Sequence, residues 1–156
     1  MSNPRTPGAP LWTVSPSAKD KNAVQRAVTA LLDELAPERV LKRGEKIRVP
    51  VEQHRTPSGC VLQGADAAVS VSWFVSTRSE AGLGELHIIV WRGTVSRGGS
   101  SPNREGATIV KELVLQPIDR PTDDCVWRAT NGTEYDSAGL AAHCTALLAE
   151  QMRAAR

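Results

Sequence analysis

The chain has 156 residues, 40% of them hydrophobic and 23% charged, and a formal net charge of +2. That length suits one domain with a sizeable core, and the composition is that of an ordinary globular protein. The charge is too small to imply a polyanionic partner, and no run approaches the roughly 18 apolar residues of a membrane helix.

The N-terminus holds no apolar leader core. The cysteines Cys60, Cys125 and Cys144 are widely spaced and odd in number, which argues against a disulfide framework or a zinc site and points to a reducing cytoplasm. Cys-x-x-Cys, His-Glu-x-x-His, Gly-x-Ser-x-Gly and phosphate-loop patterns are missing, so no cofactor or metal is expected.

Residues 1–16 contain four prolines and no helical or strand period, and read as a disordered or loosely docked arm before a single α+β domain over 17–156. Leu11, Trp12 and Val14 interrupt its polarity. Ser17 reads as an N-cap, with Asp20 in the capping-box position. Val24, Ala27, Val28, Leu31, Leu32 and Leu35 follow at helical spacing, and Pro37 ends this helix near Ala36. Residues 42–46 read as a charged turn.

Ile47, Val49 and Val51 alternate with polar neighbours as a half-buried strand, placed at a sheet edge by Pro50. Arg55 to Gly59 is turn chemistry, Cys60–Gln63 a short strand, and Gly64–Asp66 a further turn. Val69, Val71, Trp73 and Val75 alternate with Ser70, Ser72, Phe74 and Ser76. Gly84 to Val95 is apolar in both alternating sets, the mark of a central strand covered on both faces. A glycine-rich segment, Arg97 to Gly106, leads to a strand over Thr108–Gln116. After a loop at 117–124 comes the strand Cys125–Thr130, and Asn131-Gly132 turns the chain back through Thr133–Tyr135. Asp136 or Ser137 caps a last helix whose apolar side is Leu140, Cys144, Leu147, Leu148 and Met152.

Short connections between about six strands predict an antiparallel meander, with the N-terminal and C-terminal helices packed on one face. Pairing Trp73 with Ile89, Trp91 with Leu113, and Leu113 with Trp127 sorts the strands into an apolar face for the helices and a mixed face away from them. Under these registers His87, Ile109 and Lys111 join the covered face. The other face carries Phe74, Ile88, Val90, Val114 and Val126, with Arg92, Glu112 and Arg128 in one row across three strands.

An apolar centre rimmed by charge has the anatomy of an interface. The leading expectation is therefore a non-catalytic interaction module. Its partner is a protein, foremost a second copy of the chain, because arginine and glutamate on one patch can pair reciprocally across a twofold axis.

A weak nucleic-acid site on the basic 96–105 hairpin, with Arg78, Arg97 and Arg104 on phosphates, is the alternative. A small enzyme or ligand carrier with a pocket between helices and sheet comes after it. His54 precedes Cys60 by about six residues, and a buried structural cysteine is the simpler reading of that pair. His143 and Cys144 are adjacent on a helix and point about 100° apart, so they form no dyad.

Overall fold

The first apolar stripe becomes helix α1 (Ala18–Glu34), which buries Val24, Val28, Leu31 and Leu32, with Leu35 just beyond its end. The structure, a computed structural model, describes residues 18–43, 50–75, 83–95, 106–119 and 125–154. The arm over 1–16, the Ser17 cap, Ile47, Val49 and the 96–105 segment lie outside those. Pro37 ends α1 as expected, but it also starts a short helix, α2 (Pro37–Arg43), in place of the front of the expected turn. Proline suits a first helical position, where its missing N–H has no partner to lose. Val40 anchors α2 in the core.

Seven strands follow: β1 (Glu52–Thr56), β2 (Gly59–Gln63), β3 (Ala67–Val75), β4 (Gly84–Gly93), β5 (Ala107–Asp119), β6 (Cys125–Ala129) and β7 (Glu134–Tyr135). They form one antiparallel meander in the order β1-β2-β3-β4-β5-β6-β7. Helix α3 (Ser137–Ala154) closes the fold. Asp136 is its N-cap: the Oδ1 accepts the Gly139 N–H at 2.6 Å. The class is α+β, with the helices on one face of the sheet. No helix among the described residues is long and apolar enough to cross a membrane.

The strand expected around Pro50 is displaced. Pro50 and Val51 lie outside any strand, and β1 begins at Glu52. Nothing apolar in Glu-Gln-His-Arg-Thr marks β1; tertiary contacts hold it. The Gln53 side chain donates to the Leu32 and Leu35 carbonyls at 3.0 and 3.2 Å, serving the open C-terminal end of α1. Arg55 reaches Asp33 at 2.7 Å. Strand β5 runs past its expected end through Pro117, which pairs with Trp127; its register with β4 stops at Leu115, so β5 there has a neighbour on one side only.

Between β3 and β4 the register differs from the expectation by three residues: Trp73 faces Leu86, and Ser70 faces Ile89. An odd shift exchanges the two faces of a strand. Leu86, Ile88 and Val90 therefore point under the helices, and His87, Ile89 and Trp91 point away from them. Gly84 pairs with Val75, and a Cβ on it would stand 2.9 Å from the Trp73 ring and 2.2 Å from the Phe74 carbonyl oxygen. Only glycine fits there, which pins the hairpin.

Leu113 and Leu115 fall on the core face as expected, opposite Ile88 and Leu86. A bulge at Val90/Trp91 then puts Ile109 opposite Trp91, away from the helices. Between β5 and β6 the shift from the expected pairing is four residues, an even number, so Trp127 and Ala129 stay in the core. Trp73 and Trp127 meet edge to face, ring centroids 5.7 Å apart. Leu140, Ala141, Cys144, Leu148 and Met152 of α3 and the stripe of α1 complete that core. The Ser137 hydroxyl ties the two helices by donating to the Ala27 carbonyl at 3.1 Å.

Candidate functional site: the helix-free sheet face

The pleat that sends Leu62, Val69, Val71, Leu86 and Ile88 under the helices sends their neighbours to the other side. Along one line across the sheet stand His54, Val61, Ser70, Ile89 and Glu112. Beside it run Ser72, His87 and Val114, and further on Gln116, Arg128 and Glu134. Phe74 and Glu85 oppose each other on β3 and β4.

One end of this face is closed by the chain itself. Val95, just past β4, folds onto Ala68 and Trp91, with Val61, Ile89 and Ala107 packed around them. Gln63 holds it there: its side-chain oxygen accepts the Val95 N–H at 2.9 Å, and its nitrogen reaches the carbonyls of Gly64, Ala67 and Gly93. Trp91, only 1% exposed, satisfies its indole N–H on the Ser70 hydroxyl at 3.0 Å.

The remainder is open and carries Phe74 at 56% exposure and Ile109 and Val110 at 45% each. At its centre His87 Nε2 lies 3.1 Å from Glu85 Oε1, with Nδ1 3.9 Å from Glu112. The Phe74 ring stands edge-on to the imidazole at 4.8 Å. Nearby, His54 pairs with Glu52 at 3.3 Å, and Arg128 clasps Glu134 through Nε and Nη2 at 2.9 and 2.5 Å.

Phe74, Glu112, Val114, Val126 and Arg128 stand on this face, where the sequence reading put them. Ile88 and Val90 do not: the register shift buries both in the helix–sheet core. Arg92 sits opposite the core residue Ala67, hence on the helix side, exposed at the sheet's end. The expected Arg92–Glu112–Arg128 row is not formed, since Glu112 faces Ile89 and Arg128 faces Gln116 and Glu134. His87 moves the other way, out of the core. Ile89, Ile109 and Trp91 were missed with it, and the signal that could have found them was Gly84, the residue with room for Trp73.

His54 and Cys60 point to opposite faces, because Cys60 pairs with Arg55 and His54 with Val61. Burial raises the Cys60 thiol to about 12, so it is no nucleophile at neutral pH. Arg78, Arg97 and Arg104 lie outside the described residues.

Of the charged side chains described on the helix-free face, Glu52, Glu85, Glu112 and Glu134 are acidic and Arg128 is basic. The face is thus acidic on a chain that is positive overall. A histidine between carboxylates is a possible proton carrier, but this one stands on an open pleated surface, which does not exclude water from a reacting centre. What the arrangement supplies is a flat, partly apolar, acidic surface. No family model matches the chain, and no curated protein or solved structure matches it either.

Proposed function

We propose that the protein is a non-catalytic docking module that receives a protein partner on its helix-free sheet face. One observation carries the reading: Phe74, Ile109 and Val110 are exposed, and Ile89 and Val114 lie on the helix-free face between Phe74 and Ile109, interspersed with Ser70, Ser72, His87 and Glu112. Large apolar side chains exposed among polar and charged ones are what a protein interface offers.

A second copy is one occupant, since twofold pairs are the commonest assemblies. Its best support on sequence grounds was the Arg92–Glu112–Arg128 row, and that support is gone. Nucleic acid fits this face poorly, because its carboxylates repel phosphate. Binding by Arg78, Arg97 and Arg104 alone would be weak, with a shallow salt dependence because few phosphates are contacted.

The test is photo-crosslinking in cells that make the protein, with p-benzoylphenylalanine in place of Phe74 or, as a control, of Glu150 on the exposed side of α3. A discrete adduct from position 74 and none from position 150 is the expected result. Its mass separates a second copy from another protein. No adduct from position 74 would end the docking reading.

A further inference from the structure

Resting on the docking reading, we infer that the partner presents an arginine, carried on an otherwise apolar segment, to the surface cluster of Phe74, Glu85, His87 and Glu112. Glu85 and Glu112 approach the same imidazole from its two nitrogens, at 3.1 and 3.9 Å. The two carboxylates thus stand on either side of one ring, with Glu85 alone in hydrogen-bond range of it. Phe74 meets His87 by a T-shaped contact, ring planes at 71°, and is still more than half exposed.

A guanidinium is planar and weakly hydrated. It stacks on an aromatic face while its N–H groups take a carboxylate in a two-pronged grip. Lysine has the charge but neither the plane nor the fork. Ile89 and Val114, one on each side of the His87–Glu112 pair, offer apolar ground for the residues flanking that arginine.

Charge decides among the occupants. A second copy laid face to face would set Glu85 and Glu112 against the same acidic centre, and the described cation of this face, Arg128, is engaged by Glu134 at 2.5 Å. Like charges across an interface select against that pairing. A phosphate-bearing partner meets the same repulsion.

The test is a titration of the full, 15N-labelled chain with three short synthetic peptides: leucine alternating with arginine, with lysine and with glutamate. The arginine peptide is expected to bind saturably and tightest, moving the amides of Phe74, His87, Ile89 and Val114. Glu85→Gln with Glu112→Gln should weaken it by about threefold or more, the scale of exposed charge pairs. Phe74→Leu should narrow the gap between arginine and lysine, and Glu150→Gln should change nothing.

Equal binding of the glutamate peptide, or indifference to the double substitution, would overturn the inference and leave the docking reading standing on apolar contact. So would a position-74 adduct with the mass of two chains and no peptide binding at millimolar concentration. No peptide shift on this face and no adduct from position 74 would sink both.

Discussion

His143 lies on α3 with its ring stacked on Tyr135, centroids 5.3 Å apart. Burial, and then the positive charge of Lys111, hold its pKa below the ordinary 6.5. The unfolded chain therefore takes up this proton at a higher pH than the folded one. Stability contributed by the neutral ring is complete above about pH 6.5 and is lost as the pH falls from there through the folded value. His143→Gln should flatten that part of the decline; chemical denaturation at several pH values between neutral and about 5 checks it, and an unchanged slope would refute it. Single residues also set what the sequence could disclose. Trp73 was legible as core because it falls in step with Val69, Val71 and Val75 and out of step with Ser70, Ser72 and Ser76, and Trp127 shares its face with Cys125 and Ala129 while Arg128 falls on the other. Trp91 was not legible, because both sets of β4 side chains are apolar and hydrophobicity does not choose between them. The choice rests on a hydroxyl: Ser70, one strand away, can take the indole N–H only on the helix-free face.

Strands β2, β3 and β6, set off by turn residues or by alternation as in β3, were readable to within a residue or two. Strand β1 was not, since it contains no apolar residue and is held by Gln53 and Arg55 reaching α1. The candidate site suffered most. A three-residue error between β3 and β4 moved Ile88 and Val90 out of it and His87 and Ile89 in, because a sheet turns an odd miscount into a change of face. Tight turns and close approaches supply the missing constraint, and glycine marks them. Gly93 has a φ of +101°, and a Cβ there would stand 1.9 Å from the Gly106 carbonyl oxygen. Gly132 has a similar φ of +91° but open space around it. Gly93→Ala should therefore destabilise by well over about 1 kcal/mol, and Gly132→Ala by less, both read as shifts in the denaturation midpoint. Equal losses would mean that backbone conformation alone, and not crowding at the β4–β5 pair, makes Gly93 necessary.

Over the whole molecule the architecture follows from chain order: short connections give neighbouring strands, and amphipathic helices at either side of the strand series need one face of the sheet. That much was legible, whereas the identity of the open face depended on registers that composition leaves undetermined. The layer between helices and sheet can be probed through its thiols. Cys60 and Cys144 are buried, and burial raises both pKa values, with Cys60 adding to the rise at Cys144. Cys125 is only half-buried. At about pH 8 a thiol reagent should label Cys125 quickly and the other two at the rate of global opening, counted as added mass over time. Three adducts gained at one rate would contradict a closed core.

The same layer carries a consequence for biosynthesis. Helices α1 and α3 lie on either side of the strands in sequence, and the bond from Ser137 to Ala27 spans 110 positions. All seven strands precede α3 in the chain, so they leave the ribosome ahead of it. Until α3 emerges, Val69, Val71, Leu86, Ile88 and Trp127 have only part of their roof. The nascent sheet is then at its most adhesive, and a chaperone that shields its helix-side face has its window before α3 docks.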